Sequence, residues 1–360
     1  MNRSTVSRLL VYLPMAAILV AWIASWGVPV LDEHGFRQTQ TLVSSYWMTR
    51  GGDWWMYPTP VLGYPWSVPF EFPLYQWVVA LLAMLPLGLD VDSAGRLVSL
   101  AAMLACLWPL RQGLRGLGAP ARLVDLATVL FLLSPMHVFW GRAAMIESTV
   151  LLLSMLFVVV VQRLVDGVTL ARCLAAVLLA VLASLVKVTT FFGFSLLAGA
   201  IVAVALARRL HARDLAGAAR LAAASALPIV LGLAALLAWT ELSDRQKLAS
   251  VLAEFSTSGN LAKWNIRPQL LLEVDGFWRK TVLARMLPDI LGHAAWLLLL
   301  APWLLWRGNR RWLGWLASAL ALFIAPMLMF TNLHFVHDYY QMANAVFLVV
   351  ALAVVLHAVS

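Results

Sequence analysis

Charged residues are scarce in this 360-residue chain, where Asp, Glu, Lys and Arg together make up 12% of the sequence. Soluble proteins carry about 25%, and the mean hydropathy here is +0.86, so the composition excludes a soluble domain. The apolar stretches are long and do not alternate, which excludes an outer-membrane barrel. The sequence therefore predicts an all-α integral membrane protein.

Cysteine is scarce as well, with only Cys106 and Cys173, both inside apolar stretches. Neither a disulfide framework nor a cysteine-rich metal centre is indicated. The net charge is +9, but arginines in short cytoplasmic loops explain most of it, so no nucleic acid partner is required. The seventeen tryptophans and seven tyrosines suit interfacial belts and a groove that faces lipid or sugar.

The apolar stretches predict about ten transmembrane helices, with both termini in the cytoplasm. The first stretch is too long for a signal peptide and is interpreted as an uncleaved span. The predicted spans are 9–31, 94–112, 123–140, 147–165, 170–186, 189–207, 221–239, 291–306, 313–330 and 341–358. Residues 74–88 are short for a span, and a crossing there would put the arginines between the next two spans on the outside. They are therefore expected to form an interfacial helix beside the first outer loop, whose Thr39–Thr49 part is also expected to be helical. Residues 240–290 are predicted to be an outer loop.

The most informative stretch follows the first span and reads from Asp32 to Thr41. Ionisable groups at membrane depth are costly and tend to mark sites. Asp32 and the adjacent Glu33 suit a general base, or ligands for a divalent metal such as Mg²⁺ or Mn²⁺ shared with Glu147. The alternative interpretation is that the acidic pair only stops a helix at the interface.

The same topology places further polar residues on the outer face. Glu147 suits a second carboxylate, although an acid in a first helical turn is also favoured by the helix dipole alone. Lys187 and Arg37 suit the phosphate of a lipid carrier, although Lys187 also suits a snorkelling position. The remaining candidates for phosphate or substrate contacts are Gln38, Glu71, His337, Asp338, Tyr339 and Tyr340. The aromatic residues among them also fit an interfacial belt.

In their order along the chain, these residues resemble the GT-C glycosyltransferases. The similarity is greatest to protein O-mannosyltransferases and aminoarabinose lipid A transferases, which share an acidic pair after the first span and a stretch like Glu71-Phe72-Pro73-Leu74-Tyr75-Gln76-Trp77. It covers residues 1–205 by motif and 206–360 by hydropathy. It implies one membrane domain over 1–360, with a catalytic module in 1–205 and additional helices in 206–360.

The resemblance implies that Asp32 is the catalytic carboxylate with Glu33 beside it, that Glu147 is the second loop acid and that Lys187 contacts phosphate. Phe72 departs from the family, which often has Lys there, so Arg37 or Lys187 is expected to supply that cation. No C-terminal periplasmic domain is expected, so acceptor recognition would rest on membrane loops.

The implied reaction is an inverting transfer of one sugar from a polyprenyl-phosphate donor to a glycan, lipid or protein acceptor. It would take place on the periplasmic face of the inner membrane. Two other classes stay open. A flippase or transporter of lipid-linked sugar would use the same cations without a base, and a non-catalytic assembly factor would keep the fold without the activity.

Overall fold

The computed structural model describes residues 3–24, 29–61, 63–250, 252–301 and 310–359. All regular structure in these ranges is helical, which confirms the predicted all-α class. The α-helices are α1 (Arg3–Ala24), α2 (Gly35–Thr49), α3 (Leu74–Ala83), α4 (Val91–Ala105), α5 (Leu107–Gly116), α6 (Ala121–Leu133), α7 (Pro135–Trp140), α8 (Glu147–Asp166), α9 (Leu170–His211), α10 (Leu215–Leu248), α11 (Ser258–Asn265), α12 (Leu287–Leu291), α13 (Arg310–Met329), α14 (Thr331–Val336) and α15 (Gln341–Val359).

Six helical stretches of the described chain are long and apolar enough to cross a bilayer. They are α4 together with α5, then α8, α9, α10, α13 and α15. Three of the helices begin at a polar residue whose side chain accepts a hydrogen bond from the backbone N–H three positions later: Asp90, Thr169 and Asp214. Such caps satisfy an N–H group that has no partner within the helix.

The 42 residues of α9 form a hairpin of two helical legs that reverses at Lys187. Lys187 has extended backbone angles inside the helical stretch. Near the start of α9, Arg172 donates to the Gly167 carbonyl at 2.7 Å, and near its end Arg209 donates to the Val165 carbonyl at 3.1 Å. A straight helix of this length would separate its ends by about 60 Å. Because both ends return to the C-terminus of α8, the two predicted spans 170–186 and 189–207 are confirmed as separate legs.

Contacts divide the chain into two compact units. Residues 29–109 and 143–264 form the first, named here the Lys187 unit. In its core, α8 and α10 pack against the α9 hairpin, and Phe157 meets Phe191 with ring centroids 5.0 Å apart. Gly232 permits α10 to approach closely, because a Cβ there would lie 3.0 Å from Ser184 Oγ. Helix α3 packs on α2 and α4.

The described residues within 1–28, 110–142 and 265–360 form the second compact unit, named here the His334 unit. Helix α15 packs against α6, α7 and α13. Most of its side chains are buried, as expected of a helix that is apolar on all sides. The predicted division into 1–205 and 206–360 follows the chain rather than these contacts, and it stays a prediction.

Three predicted boundaries need correction. The span 123–140 is broken at Ser134, which is extended because the ring of Pro135 disfavours a helical residue before it. Helix α10 continues past residue 239 to Leu248, and the predicted 240–290 loop contains short helices, with 3₁₀ or π-helix at Glu254–Ser256, Pro268–Leu272 and Val274–Met286. The predicted spans 9–31 and 291–306 include residues 25–28 and 302–306, which lie outside the described residues.

Candidate active site

The acidic stretch after α1 is organised around the buried side chain of Gln38. Its Nε2 donates to Asp32 Oδ1 at 2.5 Å and to the Glu33 carbonyl at 3.0 Å. Its Oε1 accepts from the backbone N–H of Ala144 at 3.1 Å. One amide therefore links Asp32 to the segment that leads into Glu147, so the two acids predicted to act together lie at the same end of the Lys187 unit.

The structure treats the two adjacent acids differently. The Asp32 carboxylate is half-buried and hydrogen-bonded, whereas Glu33 is exposed. His34 follows with a φ of 53°, a conformation uncommon for a residue other than glycine. It leads directly into α2. Of the predicted pair, Asp32 is the carboxylate that the fold holds in place.

Arg37 and Glu71 form an ion pair between α2 and the segment before α3. Arg37 Nη2 lies 2.9 Å from Glu71 Oε2, and Gln76 Nε2 donates to the other oxygen at 3.0 Å. Burial opposes ionisation of Glu71, but the charge of Arg37 and these hydrogen bonds outweigh it and hold the pKa of Glu71 below its ordinary value. The carboxylate is therefore charged and fixed at neutral pH.

Tyr57 holds the backbone on both sides of Glu71. Its hydroxyl donates to the Glu71 carbonyl at 2.9 Å and accepts from the N–H of Phe70 at 2.9 Å. Burial, reinforced by the nearby Glu71 charge, raises the pKa of Tyr57 well above its ordinary value, so the hydroxyl keeps its proton. This residue positions the carboxylate through the main chain.

Two further contacts join the Glu71 segment to the helices beside it. The N–H of Phe72 donates to the Leu185 carbonyl at 3.1 Å, which brings the segment to the reversal of α9. Ser243 Oγ on α10 donates to the Pro69 carbonyl at 2.5 Å. The segment is therefore held on both sides, and Glu71 lies near enough to Lys187 for their charges to interact.

Lys187 and Glu147 form a deeply buried ion pair in the Lys187 unit. Lys187 Nζ lies 2.7 Å from Glu147 Oε2, and the two side chains are 8% and 4% exposed. The lysine nitrogen therefore ends on a carboxylate inside the protein and does not snorkel in this arrangement. Glu147 Oε1 is buried and has no hydrogen-bond partner, so an acceptor oxygen is left for a group from outside the described chain.

The predicted divalent metal on Asp32 and Glu147 finds a poor fit in these contacts. The Lys187 ammonium takes one Glu147 oxygen and the Gln38 amide takes one Asp32 oxygen. Mg²⁺ and Mn²⁺ take several oxygen ligands, whereas each of these two carboxylates already gives one oxygen to a hydrogen donor.

The other predicted residues lie in the His334 unit. The Tyr339 N–H donates to Asp338 Oδ1 at 2.7 Å, and the rings of His337 and Tyr340 stack with centroids 5.8 Å apart. Tyr339 also lies against Trp140, with centroids 5.7 Å apart. The structure thus brings Asp32, Gln38, Arg37, Glu71, Glu147 and Lys187 together in one unit and places the His337–Tyr340 group in the other.

A comparison with solved structures finds a crystal structure of ArnT from Cupriavidus metallidurans bound to undecaprenyl phosphate. The match has a TM-score of 0.60 and 18% sequence identity. It covers 97% of this chain and 60% of the ArnT chain, so this chain spans less than two thirds of that protein. The chain has the GT-C fold. No protein-family model and no curated protein sequence matches it.

The GT-C fold confirms the fold that the resemblance implied, and with the apolar helices it supports an integral membrane protein. Sequence reasoning missed the roles of Tyr57, Gln76 and Ser243, which position Glu71. Gln76 carried a weak signal, because it lies in the stretch that resembles the family. Ser243 carried none, since it reaches Pro69 across 174 positions of the chain.

Proposed function

We propose that this protein is a membrane glycosyltransferase that takes one sugar from a polyprenyl-phosphate donor. The observation that carries the proposal is the group of two ion pairs, Arg37–Glu71 and Lys187–Glu147, beside the hydrogen-bonded Asp32 carboxylate. Fixed buried charges are expensive in a protein with so few of them. A lipid-borne phosphate is a ligand that needs such cations, and the undecaprenyl phosphate bound to the similar ArnT structure has this chemistry.

Asp32 is the proposed general base. Its carboxylate takes the proton from an acceptor hydroxyl or amine, whose oxygen or nitrogen then forms a bond to the anomeric carbon of the sugar. The bond from that carbon to the phosphate oxygen breaks. The oxygen keeps the electron pair, and polyprenyl phosphate leaves. Attack opposite the leaving group inverts the anomeric centre. Gln38 orients the base through its hydrogen bond to Oδ1.

Arg37 and Lys187 are the proposed phosphate contacts. Both cations are held by carboxylates before any donor binds, so little reorganisation is needed as negative charge develops on the leaving group. Glu147 Oε1 is the unpaired oxygen beside them. It is suited to accept a hydrogen bond from a hydroxyl of the sugar or the acceptor.

The proposed location is the inner membrane, with both termini in the cytoplasm and the site on the periplasmic face. There the His337, Asp338, Tyr339 and Tyr340 group would contact sugar or phosphate, and the acceptor would be a glycan, a lipid or a protein. The preference for cytoplasmic arginines in short loops supports this orientation.

The test is release of undecaprenyl phosphate by purified protein in nanodiscs from a panel of undecaprenyl-phosphate sugars, with a membrane extract as acceptor. Asp32→Asn is expected to lower the rate by at least about a hundredfold, the usual contribution of a general base. Binding of undecaprenyl phosphate should be unchanged.

Asp214→Asn is the matched control, because Asp214 lies in the same unit but at the opposite end of the α9 hairpin and is expected to leave the rate unchanged. Full activity in Asp32→Asn would remove the proposal. A protein that releases no carrier phosphate but moves a labelled carrier lipid between the leaflets of a vesicle would be a transporter instead.

A further inference from the structure

Three segments of the His334 unit meet at the end where α6 and α13 begin and α15 ends. Arg311 Nη2 donates to the Gly118 carbonyl at 3.3 Å, across 193 positions of the chain. The rings of Trp312 and His357 have centroids 4.8 Å apart, and Arg122 lies near enough to His357 for its charge to act on that ring. These five residues form one surface, named here the Arg122 surface.

The segments that build the Arg122 surface carry far more positive than negative charge. Residues 110–125, 310–320 and 350–359 contain five arginines and one acid. The arginines are Arg111, Arg115, Arg122, Arg310 and Arg311. The acid is Asp125, and Arg111 already pairs with it at 2.9 Å. These segments contain no second acid to offset the other four arginines, and like charges repel, so an anionic ligand would stabilise the arrangement.

The arginines of the surface are exposed, but the fold positions them. The Arg311 guanidinium lies over the Trp312 ring at 5.3 Å from its centroid, and its bond to the Gly118 carbonyl fixes its direction. Arg122 lies in the first turn of α6, where the helix dipole disfavours a cation. Helix stability therefore does not explain Arg122. A preference for arginines on one side of the membrane explains their number, but not the contact that gathers α13 against the α5–α6 link.

Apolar side chains border the arginines of the Arg122 surface. Leu117, Leu313 and Val359 are exposed, and each lies within two positions of a residue of the surface. Both α13 and α15 are long and apolar enough to cross a bilayer, so their ends lie where lipid head groups meet acyl chains. The half-buried ring of Trp312 suits that depth. A ligand with an anionic head and apolar tails would match both parts of the surface, whereas a free anion would match the arginines alone.

We propose that the Arg122 surface binds the head group of an anionic phospholipid, with Arg122 and Arg311 as the contacts to its phosphate. Basic surfaces between transmembrane helices are suited to such head groups. The lipid is a bound ligand and not a substrate, so no bond is made or broken. The inference does not rest on the proposed transfer reaction, because lipid binding is measured without a sugar donor.

The test is titration of the whole, delipidated protein in detergent with dioleoylphosphatidylglycerol, followed by native mass spectrometry. Dioleoylphosphatidylcholine is the reference, because it has the same acyl chains and phosphate but a compensating positive charge. The wild-type protein is expected to bind phosphatidylglycerol at least about tenfold more tightly than phosphatidylcholine. Arg122→Gln should weaken phosphatidylglycerol binding about fivefold, and Arg122→Gln/Arg311→Gln about thirtyfold, since each arginine near an anionic lipid contributes roughly the same factor. Phosphatidylcholine binding should not change.

Arg279→Gln is the matched control. Arg279 is an exposed arginine of the same unit, but it pairs with Asp275, so its removal should leave phosphatidylglycerol binding unchanged. Asp32→Asn should also bind phosphatidylglycerol like the wild type, which separates this inference from the outcome of the transfer assay.

The proposal is overturned if the two lipids bind equally well, or if the folded double variant binds phosphatidylglycerol as tightly as the wild type. Arg122→Gln alone, at an exposed position, decides the question if the double variant does not fold. Inorganic phosphate is added as a competitor and is expected to leave the bound lipid in place. Displacement of the lipid by inorganic phosphate would overturn the choice of a phospholipid.

Discussion

The two ends of the α9 hairpin carry ion pairs of similar length in very different surroundings. At the reversal, Lys187 meets Glu147 at 2.7 Å with both side chains nearly inaccessible. At the opposite end, Arg209 meets Asp214 at 3.1 Å with side chains 29% and 46% exposed. Because solvent screens an exposed pair, the second contributes little. Removal of one partner from the first would leave a buried charge uncompensated.

The difference extends to what the charges do. The open end of the hairpin is where α9 begins and ends. Its arginines, Arg172 and Arg209, donate to carbonyls at the end of α8, namely those of Arg163, Val165 and Gly167. Carbonyls at the end of a helix commonly lack a partner within it, although the Arg163 carbonyl also accepts from the Gly167 N–H. A structural role therefore accounts for Arg172 and Arg209. At the reversal, one oxygen of Glu147 is left without a partner. The reversal is therefore the end where a ligand would complete the structure.

Removal of the buried cation gives the largest expected effect. Lys187→Met should lower the free energy of unfolding by about 3–5 kcal/mol, because Glu147 is then buried without a counter-charge. Chemical unfolding in detergent, followed by circular dichroism, measures it. The double variant Lys187→Met/Glu147→Leu should regain most of the loss, since it removes both charges. If Lys187→Met unfolds at the wild-type midpoint, the buried ion pair does not contribute more to stability than the exposed one.

Tyr57→Phe should lower the free energy of unfolding by about 1–3 kcal/mol. The substitution deletes a donor to the Glu71 carbonyl and leaves the Phe70 N–H without a partner. The same unfolding measurement applies. Tyr64→Phe is a suitable control, because Tyr64 is exposed in the same loop. Equal effects of the two substitutions would contradict the positioning role of Tyr57.

The Arg37–Glu71 pair should make stability depend on pH in the acid range. The folded protein holds the pKa of Glu71 below its ordinary value of 4.5. The unfolded chain then binds a proton before the folded chain does, so the stabilisation is present above that value and is lost as pH falls through the folded pKa. Glu71→Gln should flatten this part of the profile of unfolding midpoint against pH. An unchanged slope would show that Glu71 does not contribute to it.

The smallest effect is expected at the open end. Arg209→Lys should change the free energy of unfolding by less than about 1 kcal/mol, because the ion pair it weakens is exposed. A loss comparable with that of Lys187→Met would mean that burial does not separate the two pairs.

The sequence predicted the parts of this molecule that depend on local patterns. Lys187 interrupts a long apolar stretch, so the two legs of the hairpin were predicted, whereas the burial of Lys187 in an ion pair was not. Asp32 and Glu147 were predicted as site residues because acids are rare among apolar neighbours, and the structure places both in the Lys187 unit. The interruption at Ser134 also had a signal in Pro135, but the apolar pattern continues across it and concealed the break.

Contacts between distant uncharged groups were beyond a pattern-based prediction. Gln341 and His334 are seven positions apart, but their hydrogen bond depends on the turn that separates α14 from α15. The hydroxyl of Tyr57 contacts backbone atoms, which have no distinguishing residue type. Such contacts are fixed by tertiary packing.

The hairpin reverses within one residue, and this makes the length of the chain there as constrained as its composition. An α-helix turns by about 100° per residue. Deletion of one residue beside Lys187 would therefore rotate the second leg by that angle and swing Phe191 away from Phe157, which it now meets at 5.0 Å. Surface loops tolerate insertions and deletions. At the reversal of α9, an insertion or deletion of one residue would put every later side chain of the second leg out of register with its neighbours.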